Sequence, residues 1–275
     1  MMPELRGVVV SSRQNPRYKA AVALREPKER RRHGRILVDG AREIGRALDA
    51  NVGLVEAWVA PDRVRTEAAS RLLPRLAAAA EVVEATPELL ARLAYGERDE
   101  GVVGVFEMPP TSLEHIATHL PESALIAVVE GVEKPGNLGA LLRSADGAGL
   151  DAVIAADPVS DVWNPNAIRA SLGTIFSLPL AVCTADEALA FLRGREVTVV
   201  AAWVDGATEY DRVDLTGPVA LVVGAETTGL TAAWSAPDVL RVSIPMLGLA
   251  DSLNVSASAA ILFYEARRQR RAGHR

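Results

Sequence analysis

Short apolar runs alternate along the chain with segments whose apolar positions recur at helical spacing. In the first part, the pattern predicts strands at 34–39, 55–59, 81–84 and 102–106, with helices at 16–32, 41–48, 66–79 and 86–94. In the second part, it predicts strands at 124–132, 152–156, 180–183, 197–204, 219–224 and 239–244, with helices at 137–147, 166–172, 185–192 and from about 252 to 270. This alternation is typical of an α/β fold, and the second sheet is expected to be mostly parallel with helices on both faces.

Residues 108–121 begin Met-Pro-Pro-Thr-Ser and are predicted to form a linker. The chain is therefore expected to contain a small α/β domain over 1–107 and a larger α/β domain over 122–275. Apolar residues make up 49% of the 275 positions, which is enough for two packed cores. No apolar run is long enough to cross a bilayer, so no membrane association is expected.

The single cysteine, Cys183, excludes an intramolecular disulfide framework and a zinc site built from cysteines. The four histidines form no recognisable metal-binding motif, so no metal ion is expected. The start of the chain lacks the long apolar core of a signal peptide, and a cytoplasmic location is expected.

Positive charge is concentrated near the start of the chain. Residues 1–50 carry 12 basic and 6 acidic side chains, whereas the remainder carries 18 basic and 29 acidic ones. Such a local excess predicts a polyanionic partner, and nucleic acid is the favoured one for the cluster between Arg13 and Arg35. Four arginines near the C-terminus are instead expected to form a solvated helix end: Arg267, Arg268, Arg270 and Arg271.

Three segments that follow predicted strands carry the candidate chemistry. In the first, Asn137 can cap a helix, and Gly139 leaves bare backbone beside Arg143 one turn later. A surface arginine at an ordinary strand–turn–helix joint is the alternative. In the second, Gly224 permits close backbone approach or a positive φ, and Glu226 stands in a polar loop at the strand end.

The third segment runs from Ser243 to Ala260. An apolar strand reaches Pro245, a polar loop follows, and a helix of small residues begins near Ser252 or Asn254. The free N–H groups at such a helix start can bind an anion or a polar ligand, although an ordinary capped helix explains the pattern as well.

Together the three motifs, N-x-G-x-x-x-R from Asn137, G-x-E-x-x-G-L from Gly224 and I-P-M-x(5)-S-L-N-V-S-A from Ile244, resemble the SpoU/TrmH family of the SPOUT superfamily. This family comprises S-adenosylmethionine-dependent RNA 2′-O-ribose methyltransferases. The segments 12–16 and 34–40 resemble that family's substrate-binding domain, which is similar to ribosomal L30e/L7Ae proteins. The resemblance therefore spans almost the whole chain. Asp39 is a mild departure, because many relatives carry Glu there.

The resemblance implies a C-terminal trefoil knot, a homodimer, and S-adenosyl-L-methionine bent within the knot. The cofactor contacts that it implies are Leu221, Val223, Gly224, Ile244, Met246, Leu253, Asn254 and Ser256. The polar active-site residues that it implies are Asn137, Arg143, Glu226, Ser252 and Asn254. The expected RNA contacts in the first domain are Arg13, Asn15, Arg17 and Arg35.

The reaction implied is attack of a ribose 2′-oxygen on an activated methyl group, which requires RNA and not DNA. Because arginine side chains stay protonated in proteins, Arg143 is disfavoured as a free base, so we expect it to hold a phosphate and stabilise developing negative charge. The L30e-like domain favours 23S ribosomal RNA over transfer RNA as the substrate, and a link to antibiotic resistance is left open. A non-catalytic RNA-binding protein of the same fold is an alternative. A dehydrogenase is disfavoured because the dinucleotide fingerprint is absent.

Overall fold

The computed structural model of the protein describes residues 8–95, 100–204, 208–225 and 229–272. They form two compact units. The first unit contains the described residues as far as Pro109 together with Trp163–Ser177, and the second contains Pro110–Val162 and the described residues from Leu178 onward. No helix in these ranges is long and apolar enough to cross a bilayer.

The strands are, in chain order, β1 (Val8–Val10), β2 (Arg35–Asp39), β3 (Leu54–Val59), β4 (Glu81–Ala85), β5 (Val102–Glu107), β6 (Leu125–Glu130), β7 (Ala152–Ala156), β8 (Leu180–Cys183), β9 (Thr198–Ala202), β10 (Thr208–Glu209), β11 (Val219–Val223) and β12 (Leu240–Ser243). The α-helices are α1 (Pro16–Ala23), α2 (Pro27–His33), α3 (Ala41–Asp49), α4 (Glu67–Ala79), α5 (Pro87–Leu93), α6 (Leu113–Ala117), α7 (Pro135–Ala148), α8 (Pro165–Ala170), α9 (Ala185–Gly194) and α10 (Val255–Ala272).

The first unit contains a five-stranded mixed sheet in the order β1-β4-β3-β5-β2. Strands β1, β4 and β3 run parallel, whereas β5 runs antiparallel to both β3 and β2. A core that includes Trp58, Tyr18 and Leu90 packs beneath α1 and α5. Tyr18 donates its hydroxyl hydrogen to the carbonyl of Leu89 and meets Trp58 edge-on, which ties α1 to the sheet and to α5.

The single helix predicted over 16–32 is wrong, because the chain forms α1 and α2 with a break before Pro27. A proline disfavours the helical conformation of the preceding residue, and Glu26 is accordingly extended at ψ 132°. Pro27 then occupies the first turn of α2, where its missing N–H is no loss. The short edge strand β1 was not predicted either.

Residues 163–177 pack with the first unit although β7 and β8, on either side of them in sequence, belong to the second. Arg169 of α8 donates to the carboxylate of Asp39 at 2.6 Å and also contacts the carbonyl of Tyr95. Arg46 donates to the carbonyl of Leu172 at 2.9 Å. The predicted boundaries at 107 and 122 placed this segment with the larger domain.

The second unit contains a seven-stranded sheet in the order β10-β12-β9-β11-β6-β7-β8. All of its described strand pairings are parallel, which confirms the predicted mostly parallel sheet. Helices α7 and α10 pack against each other, and a Cβ at Gly147 would lie 3.1 Å from the hydroxyl oxygen of Tyr264. Helix α6, in the predicted linker, packs on β8 through the unit's core with Ile116 fully buried.

Arg270 is not part of a solvated helix end, so that expectation is wrong for this residue. Its guanidinium donates to four carbonyl oxygens, those of Ser123, Ala124, Leu215 and Gly217. Burial lowers the pKa of Arg270, as expected for a cation whose hydration is replaced by neutral acceptors. The C-terminal end of α10 is thereby tied to the start of β6.

Candidate functional site

An open pocket lies in the second unit, beside the ends of β6 and β11. Three segments that are distant in sequence form its walls: the junction of β6 and α7, Ala225 shortly after β11, and the first residue of α10. Its lining residues are Val129, Val132, Glu133, Lys134, Asn137, Ala225 and Val255. The carboxyl ends of parallel strands are where α/β proteins usually bind ligands, and all three predicted motifs meet here.

Helix α7 carries two of the predicted active-site residues. It begins at Pro135 and not at Asn137, because a proline suits the first helical position. Asn137 therefore lies inside the first turn, half-buried, and lines the pocket. Arg143 is exposed further along the helix, does not line the pocket, and has no hydrogen-bond or ion-pair partner in the part of the chain that is described.

The start of α10 meets the start of α7 through Asn254. Its side-chain amide donates to the Asn137 side-chain oxygen at 3.4 Å. Its own side-chain oxygen accepts from the backbone N–H of Ser256 at 3.0 Å and from the Ser256 hydroxyl at 2.6 Å. Asn254 thus caps α10 while contacting a residue 117 positions earlier. Ser252 is exposed just before it.

Gly224 lies where only glycine fits. A Cβ there would be 2.4 Å from the carbonyl carbon of Gly229 and 2.7 Å from the backbone nitrogen of Leu230. Its φ is not positive, so close backbone approach is the reason for this glycine, whereas Gly229 has a φ of 66° and turns the chain. Leu221 and Val223 of β11 are fully buried before it. Glu226 lies outside the described residues.

The loop after β12 holds the remaining predicted cofactor contacts. Ile244, Met246 and Leu253 are each half-buried. Leu247 and Leu249, between them, are 99% and 105% exposed. Two such apolar side chains in one loop are unusual for a surface that meets only water.

Sequence reasoning missed Glu130, the last residue of β6. It is only 2% exposed, and its two carboxylate oxygens accept from the backbone N–H of Thr231 at 2.8 Å and from the Thr231 hydroxyl at 2.6 Å. A signal was present, because an acidic residue ends an otherwise apolar strand. Cys183 is no candidate nucleophile, since burial raises the pKa of its thiol to about 12.

The basic cluster of the first unit separates into paired and unpaired side chains. Arg17 pairs with Glu56 at 2.5 Å and with Glu81 at 2.8 Å, and the hydrogen bond from Arg17 to Glu81 raises the pKa of Arg17. Arg30 is fully buried and donates to two backbone carbonyls. Asn15 caps α1 through its side chain. The exposed basic residues with no ion pair inside the described ranges are Arg13, Lys19, Lys28, Arg31 and Arg35.

Comparison with known proteins places both units. Residues 124–264 match the SpoU rRNA Methylase family, and residues 15–104 match the MRM3-like substrate binding domain. A 23S rRNA (uridine(2479)-2′-O)-methyltransferase of Streptomyces viridochromogenes is 34% identical over 89% of this chain and 86% of its own. A 23S rRNA (guanosine(2553)-2′-O)-methyltransferase of Bacillus subtilis (strain 168) is 28% identical over 94% of this chain and 98% of its own.

A solved structure agrees with the sequence matches. The SpoU methyltransferase AviRb from Streptomyces viridochromogenes, crystallised in complex with the cofactor AdoMet, superposes with a TM-score of 0.86 at 32% identity. The match covers 94% of this chain and 99% of that one, so it extends over both units.

Proposed function

Because the chain belongs to the SpoU rRNA methylase family, we propose that it transfers a methyl group from S-adenosylmethionine to a ribose 2′-oxygen of 23S ribosomal RNA. The observation that carries the proposal is the convergence of the three motifs on one pocket, with Asn137 and Asn254 in contact. The family match alone gives a fold and a class of reaction. The contact shows that this chain brings the polar residues of two distant motifs together.

The residues around the pocket fit the cofactor. Four of its lining residues are apolar and suit the cofactor's adenosine, and the two asparagines supply directional hydrogen bonds beside them. The missing side chain at Gly224 leaves backbone groups accessible at the end of β11. We propose that the cofactor is held by the predicted set, Leu221, Val223, Gly224, Ile244, Met246, Leu253, Asn254 and Ser256. The predicted trefoil knot would bring these loops together.

When bound, the cofactor supplies a methyl group that is already strongly activated, so the protein's task is to prepare the hydroxyl. Arg143 is permanently charged and has no partner among the described residues, which suits a residue that holds an RNA phosphate and stabilises charge developing on the 2′-oxygen. Asn137 and Asn254, fixed by their mutual contact, would orient the ribose, and Ser252 would donate to the neighbouring phosphate. Glu226 stays a prediction as a brace for Arg143 or the ribose.

The first unit is proposed to hold the RNA. Its exposed cations without an ion pair in the described part of the unit concentrate around α2, where Lys28 and Arg31 are exposed, and at Arg35 just beyond it. Arg13 and Asn15 stay predicted contacts in the loop before α1. The ion pairs of Arg17 give that residue a structural role in addition to the predicted one. Phosphate contacts of this kind supply affinity that falls steeply with salt concentration.

The relatives named above modify a uridine in one case and a guanosine in the other. A shared fold and shared motifs are therefore compatible with different bases, as expected for a reaction at the ribose. We infer that base selection depends on the RNA structure that the first unit recognises, and that the enzyme acts in the cytoplasm, where ribosomes are assembled.

We also propose that the active form is a homodimer. The full exposure of Leu247 and Leu249 supports this, because their burial against a second copy would remove apolar surface from water next to the cofactor loop. Replacing both residues with aspartate is expected to give a monomer by light scattering, with methyl transfer lost. A native protein that is monomeric at micromolar concentration would contradict the dimer.

Primer extension on 23S ribosomal RNA tests the activity directly. RNA from cells that lack the gene should lose one ribose-methylation stop, and purified protein with S-adenosylmethionine should restore it. The variant Asn254→Ala should not restore it. If the same stop persists without the gene, the proposed substrate is wrong. If the purified protein fails to bind S-adenosylmethionine, the proposed reaction is wrong.

A further inference from the structure

Glu130 is an ionisable residue in a buried strand, where burial of a charge is unfavourable unless the charge is hydrogen-bonded. It ends β6, whose other residues are apolar and fully buried, and it is itself 2% exposed. Side chains alternate along a strand, so Val129 lines the pocket while Glu130 points to the opposite face of the sheet. Glu130 therefore does not belong to the pocket wall.

A single residue satisfies this carboxylate. Thr231 donates its backbone N–H to one oxygen and its hydroxyl to the other, and no basic side chain in the described part of the chain contacts Glu130. Thr231 precedes the short 3₁₀ helix Ala232–Ser235, where a threonine usually caps the helix with its hydroxyl. Here the hydroxyl makes no such bond and is committed to Glu130. Charge-assisted bonds of this kind are stronger than those between neutral groups.

The contact fixes the chain that closes over Gly224. Residues 229 and 230, immediately before Thr231, press against Gly224 so closely that no Cβ fits. Gly229 also donates its N–H to the carbonyl of Ala225 at 3.0 Å, and Ala225 lines the pocket. On the other side, a Cβ at Gly131 would lie 3.5 Å from the Cβ of Ala225. The segment that Glu130 fixes through Thr231, and the residue that follows Glu130, therefore both lie against Ala225, the second residue after β11.

From these contacts we propose that Glu130, acting through Thr231, is a positioning residue that sets the backbone after β11 for binding S-adenosylmethionine. The inference rests on the proposed function, since the backbone that Glu130 positions borders the proposed cofactor pocket. It predicts that loss of the Glu130 carboxylate or of the Thr231 hydroxyl weakens cofactor binding, although neither group contacts the cofactor itself. It also predicts that RNA binding, which we assign to the first unit, is unchanged.

Two substitutions remove one bond each, and one keeps both. Thr231→Val retains the shape and the N–H but loses the hydroxyl. Glu130→Gln replaces one acceptor oxygen with an NH₂ donor. Thr231→Ser retains both donors, the N–H and the hydroxyl. Calorimetry on the full chain should show S-adenosylmethionine Kd raised about tenfold by Thr231→Val and by Glu130→Gln. Thr231→Ser should bind within about twofold of the unaltered protein. In RNA methylation assays, the KM for S-adenosylmethionine should rise while the Kd for RNA stays constant.

Thr184→Ala is the matched control. It removes the capping box of α9 in the same unit, so it lowers the melting temperature without altering Glu130 or Thr231. Its S-adenosylmethionine Kd should be unchanged. If Thr231→Val and Glu130→Gln lower the melting temperature as Thr184→Ala does and bind the cofactor normally, Glu130 is only structural and the proposal is overturned. If the unaltered protein binds no S-adenosylmethionine, the proposed function fails first and this inference fails with it.

Discussion

Asp39 in the first unit and Glu130 in the second are each the last residue of a strand, and they are 5% and 2% exposed. Asp39 accepts from the guanidinium of Arg169 and from the N–H of Tyr95. Within the described ranges, Glu130 accepts from Thr231 alone, and Thr231 is neutral. The same problem, a carboxylate removed from water, is therefore solved with a charge in one unit and with two neutral donors in the other.

The two carboxylates differ in what they do for the structure: one holds a segment in place, and the other positions a loop. A buried ion pair adds little net stability, but losing one partner is severe because the other charge stays buried alone. The pair of Asp39 and Arg169 therefore suits a contact that must hold residues 163–177 on the first unit. When a neutral donor is lost, only the carboxylate is left without a partner, and no second buried charge remains. Neutral donors therefore suit a contact that positions a loop. Arg143, which has no partner within the described ranges, represents the third case, a charge kept free for a ligand.

The largest effect is expected from Arg169→Met. It leaves Asp39 buried without its cation and should destabilise the packing of residues 163–177 by about 3 kcal/mol. Hydrogen exchange of the amides of that segment, followed by mass spectrometry, measures the loss as faster exchange. Adding Asp39→Asn should restore part of the protection, because the buried charge is removed.

Arg193→Met is the control for this experiment. It breaks an exposed ion pair with Asp238 in which the two side chains are 47% and 54% exposed, so the exchange of residues 163–177 should stay close to that of the unaltered protein. Equal protection of residues 163–177 in Arg169→Met and Arg193→Met would remove the distinction drawn between the two carboxylates.

A loss of activity without a loss of stability is expected from Arg143→Ala. An exposed arginine with no partner in the described part of the chain contributes little to folding, so the free energy of unfolding should change by no more than about 0.5 kcal/mol. The rate of methyl transfer at saturating cofactor should fall by about 10²–10³-fold, the usual effect of removing a donor that stabilises developing charge. Arg143→Lys should restore little, because an ammonium lacks the bidentate geometry. Full activity in the lysine variant would show that only the charge matters.

Elements whose own residues carry the structural signal could be predicted from the sequence. The apolar runs at 152–156 and 180–183 predicted β7 and β8 at their observed bounds, since a fully buried parallel strand is readable from its own residues. Strand β1 was missed because its three consecutive valines show no alternation of apolar and polar residues. Pro27 favours a break, whereas the basic run on either side of it predicts a single helix.

Partners distant in sequence could not be predicted from local patterns. Arg30, Arg169 and Arg270 look alike in the sequence, yet the first is buried against carbonyls, the second pairs with a residue 130 positions away, and the third binds four carbonyls. Their destinations depend on which backbone groups the fold leaves unsatisfied. The convergence of Asn137 and Asn254 was expected only through the family resemblance.

Within the first unit, paired and unpaired cations should behave differently towards RNA. The double variant Lys28→Ala/Arg31→Ala removes two unpaired charges, and the slope of log K against log salt should become shallower by about 0.7–0.9 for each phosphate that is no longer neutralised. Filter binding across a salt series measures the slope. Arg17→Ala should mainly lower stability, by about 1 kcal/mol, because it breaks two partly exposed ion pairs. An equal change of slope in Arg17→Ala would assign the paired arginine to the RNA surface as well.

The smallest effect concerns the titration of Asp39 itself. Burial raises the pKa of Asp39 above its usual value, and the N–H of Tyr95 and the charge of Arg169 only partly oppose this. A raised pKa means that the protonated form is favoured in the folded state, so this stabilisation is complete below about pH 3.8 and is lost as the pH rises through the folded pKa. Asp39→Asn cannot titrate, so the unaltered protein should lose stability relative to it as the pH rises from about 4. Chemical denaturation of both proteins at several pH values gives this difference, which cancels the carboxylates they share. If this difference in stability becomes larger in the Arg169→Met background, the titration of Asp39 depends on the ion pair. If the difference does not change with pH, ionisation of Asp39 does not lower the stability of the folded state.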